Sequence, residues 1–311
     1  MPERSKTMAI TINTNLSSML VQSNLAKSTT QLNQAIERMT TGYKINHASD
    51  NAAGYSIARN WEAQLGSLDI AADNAATGAD MLQTLEDTYA LVSTHIQRVR
   101  DLTEQASNGT YGEQSLEAIK SEITARLEEI NRIAANCEYN GIYLMDGDDS
   151  RATTGLDIQV GIDGNDDKSK IHLDKKLFAG GDVEHLFTIT GEHEYTPTGS
   201  TASEIVDKVA SDCAGLTEGI DASSMLTRID DVISKISERI TTLGAAQNRI
   251  ESAVTSISVQ AENITSSLST LRDADVATES SNYIKAQILQ QASATLLATA
   301  NQSPSIALNL L

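Results

Sequence analysis

A chain of 311 residues with a formal net charge of −19 and only 4% aromatic residues has an unusual composition for a compact enzyme. Nucleic acids and anionic membranes bind basic patches, so the charge argues against both as partners. The two cysteines, Cys137 and Cys213, stand in no redox or metal-binding spacing. The sequence holds no apolar run long enough for a membrane span and no pattern of a cleaved signal peptide.

The first predicted element is an N-terminal helix that carries almost no charge. Lys27 is the one charged residue in positions 8–36. Leu25, Leu32 and Ile36 fall on one stripe of this helix. The rest of its surface is Gln, Asn, Ser and Thr, which suits burial against other protein without the cost of desolvating charge.

Two helical segments with coiled-coil spacing follow a connector. Residues 42–60 are rich in Gly, Asn, Ser and Asp, as connectors are. Apolar residues then recur at steps of three and four over 61–106, with one phase slip at Leu85. A shorter run of the same kind covers 116–137. This run is about half as long as the run at 61–106, and it predicts a helix that folds back antiparallel on that longer helix.

The middle of the chain changes character. Alternating apolar residues on both sides of Asp163-Gly164 predict a β-hairpin that ends near Leu173. Residues 174–222 are acidic and weakly patterned, and we interpret them as a short, surface-exposed variable insert. Over residues 146–221 there are 17 Asp and Glu against 6 Lys and Arg, a net charge of −11, typical of a solvated surface.

The longest apolar seam precedes the C-terminal segment. Steps of three and four continue from Leu226 to Leu271, and Gln247 is the one polar member. A connector is predicted at 272–281. No charged residue occurs from 286 to 311. The predicted C-terminal helix has an apolar stripe made by Ile284, Ile288, Leu289, Leu296 and Leu297.

These elements predict a mainly α fold. It is an elongated, coiled-coil-like helical bundle built from the N- and C-terminal halves, with a small β-hairpin region and a short central insert. Isolated helices with so few charges are poorly soluble and marginally stable. We therefore expect the terminal helices to be disordered in the monomer and to fold on assembly. The alternative is that they simply pair within one chain.

Motifs for catalysis and for cofactors are missing from the sequence. It has no P-loop, no dinucleotide fingerprint, no nucleophile elbow and no zinc-peptidase helix motif. The spacing of the five histidines suits no metal site. Asp163, Asn165 and Asp167 resemble half of a calcium loop, but a hairpin turn explains them better. We expect no enzyme activity and no cofactor.

Several stretches resemble bacterial flagellins. They are Met8-Ala-Ile-Thr-Ile-Asn-Thr-Asn-Leu, Arg38-Met-Thr-Thr-Gly-Tyr-Lys-Ile-Asn, Ser49-Asp-Asn-Ala-Ala-Gly-Tyr-Ser-Ile-Ala, Leu243-Gly-Ala-Ala-Gln-Asn-Arg-Ile and Ala286-Gln-Ile-Leu-Gln-Gln-Ala. The resemblance covers roughly residues 8–172 and 224–311, in the family's order. Residues 1–7 precede the usual family start, so we expect Met8 to be the initiator. The two cysteines are unusual for the family.

The resemblance implies a filament subunit that assembles with itself. Residues 1–41 and 282–311 then form the inner core of the filament, and 61–173 with 223–271 form the outer tube. The connectors 42–60 and 272–281 join them, and the insert 174–222 faces solvent.

The family also implies export and partners. The chain then leaves the cell unfolded through the flagellar type III system, held beforehand by a flagellin export chaperone, and it meets hook-associated and cap proteins in an extracellular flagellum. The resemblance further implies a site for the host's flagellin-sensing Toll-like receptor at Gln97, Arg98, Leu102 and Glu122.

Three other interpretations stay open at this point. A hook–filament junction protein shares the terminal architecture without building long filaments. A filament protein with an enzyme in its insert would need a site that 174–222 is too short and too poor in polar clusters to supply. A coiled-coil secretion effector would not polymerise.

Overall fold

The computed structural model describes residues 15–145, 154–163, 167–188, 196, 201–217 and 222–308, with the last six residues of that final range described by their backbone alone. The helices of this described part are α1 (Leu16–Thr41), α2 (Ala52–Ala106), α3 (Glu113–Ala135), α4 (Val183–Phe187), α5 (Ala202–Cys213), α6 (Ala222–Arg272) and α7 (Val276–Leu308). The mainly α fold class is therefore confirmed. Within the described ranges, no helix combines the length and the hydropathy needed to cross a membrane.

Two short antiparallel hairpins lie between α3 and α4. β1 (Glu138–Tyr139) pairs with β2 (Ile142–Tyr143), and β3 (Leu156–Gln159) pairs with β4 (Lys170–Leu173). The second is the predicted hairpin, with Ile158 opposite Ile171. The first was not predicted. It turns at Asn140-Gly141, where both residues have positive φ (51° and 78°), a turn that favours the Asn-Gly pair.

The chain divides into two compact units. Residues 66–261 form one, here called the bundle unit, and residues 1–65 with 262–311 form the other, here called the terminal unit. The helices α2 and α6 each contribute residues to both units.

The core of the bundle unit is made by the three predicted seams. Its fully buried seam residues are Leu82, Leu85, Tyr89, Val92, Ile96 and Val99 in α2, Ile123, Leu127 and Ile130 in α3, and Ile229, Ile236, Leu243 and Ile250 in α6. The phase slip of α2 is real, because Leu82 and Leu85 are both buried. The polar seam residue Gln247 donates to Glu86 Oε2 (2.8 Å), so its amide is satisfied beside the core.

The interpretation of residues 174–222 as a surface-exposed insert is wrong for the described part of that segment. The 3₁₀ turn Lys175–Phe178 and helices α4 and α5 bury apolar side chains in the same core as α2, α3 and α6. Phe178 and Phe187, the chain's two phenylalanines, are 1% and 0% exposed. Burial of two aromatic rings makes this segment part of the bundle core. We call the described residues of 174–217 the middle segment.

The two connectors of the terminal unit are shorter than predicted. The sequence placed them at 42–60 and 272–281, whereas the structure limits them to 42–51 and 273–275. The earlier start of α2 is explained by Asn51, whose side-chain oxygen accepts a hydrogen bond (3.0 Å) from the backbone N–H three residues further on. An Asn in this position satisfies a free N–H group at the helix start.

Truncating Phe187 tests whether the middle segment is part of the core of the bundle unit. Phe187→Ala should lower the free energy of unfolding by about 3–5 kcal/mol, because it removes a fully buried ring from a close-packed core. Tyr143→Ala is the matched control, since that ring is 49% exposed. Urea unfolding followed by circular dichroism measures both. Equal, small losses for the two variants would contradict the assignment of the middle segment to the core.

The buried thiol of Cys213 gives the bundle unit an alkaline pH dependence. Burial raises the pKa of Cys213 to about 12. An unfolded chain has a thiol pKa of about 8.5, so it releases its proton first as the pH rises. Stability should then fall by about 1.4 kcal/mol per pH unit above about pH 8.5 from this group. Cys213→Ala should reduce that slope in urea titrations at pH 8 and pH 10, and an unchanged slope would contradict the burial of the thiol.

Candidate functional site

The terminal unit is built on an antiparallel pair of helices, α1 and α7. Asn15 at the start of α1 donates through Nδ2 to the carbonyl of Ala300 (2.7 Å). Midway along the pair, Gln290 Nε2 donates to Thr29 Oγ1 (3.2 Å). Hydrogen bonds between uncharged side chains and backbone groups thus join the two helices.

Small side chains occupy the interface of this pair. Among the side chains of α1 and α7 that the structure describes, the buried ones are Ser28, Ala35, Glu279, Ala286 and Ser293. Four of these five are Ser or Ala. Hydrophobic stabilisation scales with buried apolar area, at about 0.8 kcal/mol per CH₂ group, so an interface of small residues contributes little.

The large apolar side chains of α1 and α7 lie mostly on the outside of the pair. Among the residues predicted for self-assembly, Ile36, Ile284, Ile288, Leu289 and Leu296 are exposed, while Leu25, Leu32 and Leu297 are half-buried. Ile288 is 60% exposed. The stripes therefore do not serve mainly to join α1 to α7 within one chain. They leave large apolar side chains exposed to solvent on both helices, a feature typical of protein–protein contact sites.

Three more exposed apolar residues extend this surface at the start of α1. Leu16, Met19 and Leu20 are 74%, 62% and 64% exposed. Sequence reasoning missed them. Met19 and Leu20 follow Leu16 by three and by four residues. This spacing places the three on one helix face, and it was the signal available in the sequence. We call these three, with the five exposed predicted residues, the apolar assembly surface.

One ion pair crosses the α1–α7 interface. Arg38 Nη1 lies 3.2 Å from Glu279 Oε1, and the two side chains are 24% and 11% exposed. A partly buried pair fixes orientation more than it adds stability, because both charges give up hydration. The pair sets the register of the two helices beside the connectors.

The connectors are locked by backbone and aromatic contacts, which explains the motif that follows Arg38. The N–H of Lys44 donates to the carbonyl of Arg272 (2.6 Å). The guanidinium of Arg272 lies over the ring of Tyr43, 4.0 Å from its centroid, in a cation–π contact. Its Nη1 also pairs with Glu62. Tyr43 and Glu62 thus hold Arg272 in place at the C-terminal end of α6.

Asp50 closes the longer connector on itself. Its Oδ2 accepts from the backbone N–H groups of His47 and Asn46, each at 3.1 Å. The hydrogen bond from His47 is the main cause that holds the pKa of Asp50 below its usual value. A carboxylate kept ionised in this way stabilises the loop at neutral pH.

The predicted receptor residues lie on α2 and α3, but not all are accessible. Arg98 donates through Nε (3.0 Å) and Nη2 (2.9 Å) to Glu122 Oε1, and both side chains are partly exposed. Gln97 is exposed beside them. Leu102 is only 2% exposed, so the structure contradicts its prediction as a surface contact. Three of the four predicted residues share a surface, and the fourth belongs to the core.

The neighbour of Leu102 explains part of its burial. Thr103 is fully buried, and its side chain is near enough to the Cys213 thiol at the end of α5 to lower the pKa of that thiol, against the larger effect of burial. The middle segment thus reaches α2 next to Leu102. A sequence pattern for such a short helix gave no sign of this contact.

Three of the described histidines, His47, His172 and His185, each lie beside a single carboxylate, whereas His95 does not. His172 Nδ1 lies 2.7 Å from Asp157 Oδ1, and His185 Nδ1 lies 2.6 Å from Asp182 Oδ1. His193 is outside the described residues. In the described ranges, no group of three or more His, Cys, Asp or Glu is placed to hold a metal ion.

Comparison with known proteins assigns the family. The N-terminal helical region of bacterial flagellin matches residues 12–150, and the C-terminal helical region of bacterial flagellin matches residues 226–311. The first matched region contains α1, α2 and α3. The second contains α7 and all of α6 except its first turn. Such nested helical ends define a self-assembling structural protein. The chain belongs to the bacterial flagellin family.

Named relatives agree over nearly the whole length. The chain is 35% identical to a flagellin of Xenorhabdus nematophila and 34% identical to a flagellin of Bacillus subtilis. These alignments cover 98% and 96% of this chain and 100% and 99% of the relatives. Polar flagellin F of Vibrio parahaemolyticus is 31% identical, over 98% of this chain and 100% of that protein. Among solved structures, Bacillus cereus flagellin matches with a TM-score of 0.41 and 23% identity, covering 63% of this chain and 94% of that one.

As a flagellin, the protein is a structural subunit that polymerises into the flagellar filament.

Proposed function

We propose that copies of this chain join through the apolar assembly surface of α1 and α7. The observation that carries the proposal is the exposure of large side chains such as Ile288 (60%) and Leu296 (56%) on helices that bury mainly Ser and Ala against each other. Contact with other copies removes these side chains from water, at about 25 cal/mol per Å² of apolar area. The absence of charge from 286 to 311 allows that burial without an unpaired ion.

The same surface makes the terminal helices dependent on assembly. Alone, α1 and α7 gain little from their small-residue interface, and helices without tertiary support are marginal in water. We infer that both are disordered in the free monomer and fold as the filament grows. A chain with unfolded ends also suits passage through the narrow flagellar type III export channel.

Partners before and during assembly follow from the exposed apolar side chains. Ile284, Ile288 and Leu296 need cover in the cytosol, which a flagellin export chaperone bound at the C-terminal segment supplies. Hook-associated and cap proteins receive the exported chain at the two ends of the filament, outside the cell. We infer that the chain catalyses no reaction, in keeping with its structural family.

We also propose that the host's flagellin-sensing Toll-like receptor binds the surface of Gln97, Arg98 and Glu122. Arg98 is 47% exposed and Glu122 39% exposed, so both remain accessible in a single chain. A guanidinium offers a receptor planar, charge-assisted hydrogen bonds. Leu102 takes no part in this revised site, because it is buried.

Removal of one large apolar side chain tests the assembly proposal. Ile288→Asp should stop seeded filament growth, because it places a charge where copies meet, and Ile288→Leu should polymerise as well as the original chain. Deletion of 286–311 should also abolish filaments. Negative-stain electron microscopy of seeded monomer distinguishes these results. Normal filaments from Ile288→Asp would contradict the proposal, and persistent monomers of the original chain would favour the hook–filament junction protein.

Loss of the exposed guanidinium tests the receptor proposal. Arg98→Ala should reduce receptor signalling at least ten-fold, while stability changes by less than about 1 kcal/mol, since exposed ion pairs contribute little. Arg126→Ala is a control, because Arg126 approaches the same Glu122 only at 3.9 Å. A reporter-cell assay with monomer measures signalling. Equal potency of Arg98→Ala and the original chain would refute this site.

A further inference from the structure

A cavity lined by basic side chains lies in the bundle unit, apart from the surfaces described above. Its volume is about 170 Å³. It lies between α6 and the segment that leads into α4, and its lining residues are Lys176, Ala179, Lys235, Glu238, Arg239 and Thr242. Three of these six are cationic, in a chain whose net charge is −19. An acidic protein that gathers cations around a cavity offers a place for an anion.

Two of these cations form no direct ion pair with a carboxylate among the described residues. Lys235 and Arg239 lie one helical turn apart on α6, and no carboxylate of the described residues forms an ion pair with either. Glu238 pairs instead with Lys176 (3.1 Å). Burial first, and then the charge of Arg239, lower the pKa of Lys235, against a weaker opposing effect of Asp231. The two like charges therefore repel each other in a partly desolvated place.

The guanidinium of Arg239 has N–H donors that bond no other described residue. All of its hydrogen bonds within the described structure leave from Nη1, toward Tyr89 Oη (3.2 Å) and the carbonyls of Ala179 (3.2 Å) and Gly180 (3.0 Å). The Nε and Nη2 groups are left for another acceptor. That edge of a guanidinium matches two oxygens of a carboxylate or a phosphate.

Lys235 lines the same cavity, and its ammonium group is held in a fixed position. Its Nζ donates to the carbonyls of Leu186 (3.1 Å) and Thr188 (2.7 Å). An ammonium has three N–H donors, so one remains. Both cations are thus positioned by neutral carbonyls, which orient them without cancelling their charge.

We propose that this cavity binds one small oxyanion between Arg239 and Lys235. The ligand is a phosphate or a carboxylate, either free or carried by a small molecule such as a sugar acid. Glu238 adds a negative charge to the rim and disfavours large polyanions. Because the two cations also bond the carbonyls at 179, 180, 186 and 188, a bound anion stabilises the attachment of the middle segment to α6.

Titration of the full-length monomer tests the site. The probes are inorganic phosphate, followed by ³¹P line broadening, and glucuronate, followed by calorimetry, each at constant ionic strength with chloride and glucose as blanks. Low millimolar concentrations keep general salt exclusion small. We expect saturable binding of one anion per chain. Saturation by both probes supports an oxyanion site open to either source, and saturation by one alone supports the site and identifies its source.

Substitutions locate the binding. Arg239→Ala would also leave the buried Tyr89 and two carbonyls without a donor, so the informative variant is Lys235→Met, which keeps the methylene stem. It should weaken binding at least ten-fold. Lys27→Met on α1 removes the same charge from an exposed position and should bind as the original chain does. No saturable binding of either probe, or equal binding by Lys235→Met, would overturn the proposal.

Discussion

The pairing of α1 with α7 through small side chains is the constraint on which the account of this protein depends. Ser28, Ala35, Ala286 and Ser293 let the two helices meet, but they bury little apolar area. The large aliphatic side chains are left on the outside, and the polar residues around them carry almost no charge. We propose that such a pair is incomplete as a monomer and that further copies supply its missing contacts.

The bundle unit shows the opposite arrangement, because its large apolar side chains are inside. Leu85, Tyr89 and Ile123 belong to one core that α2, α3 and α6 share with the middle segment. Buried Tyr89 accepts from Arg239 and donates to the carbonyl of Leu177 (3.2 Å), so its hydroxyl is satisfied. This unit has the packing of a self-sufficient domain. We therefore expect one chain to combine a unit that folds alone with a unit that needs partners.

The long helices were predictable from the sequence, and the short ones were not. A seam such as 226–271 repeats one spacing many times, so single exceptions such as Gln247 do not obscure it. Helix α4 has five residues, too few for any period to appear. Its Phe187 is buried by residues distant in sequence, and no local pattern reports such contacts.

Candidate site residues were predictable from the sequence where a residue's position on its helix decides whether its side chain is exposed. Arg98 and Ile288 are exposed, as a surface role requires. Leu102 occupies a position that the resemblance implied to be a contact, yet it is buried, and the middle segment reaches α2 at the next residue, Thr103. The exposure of Leu16, Met19 and Leu20 was missed, because an uncharged helix gives no polar face to mark the solvent side.

Hydrogen exchange of the monomer and of the assembled filament, read peptide by peptide, shows whether α1 and α7 fold only on assembly. We expect the amides of α1 and α7 to exchange rapidly in the monomer and to become protected in the filament, while those of α2, α3 and α6 in the bundle unit are protected in both. Equal, strong protection of α1 and α7 in the free monomer would contradict it. The helix pair would then be complete within one chain.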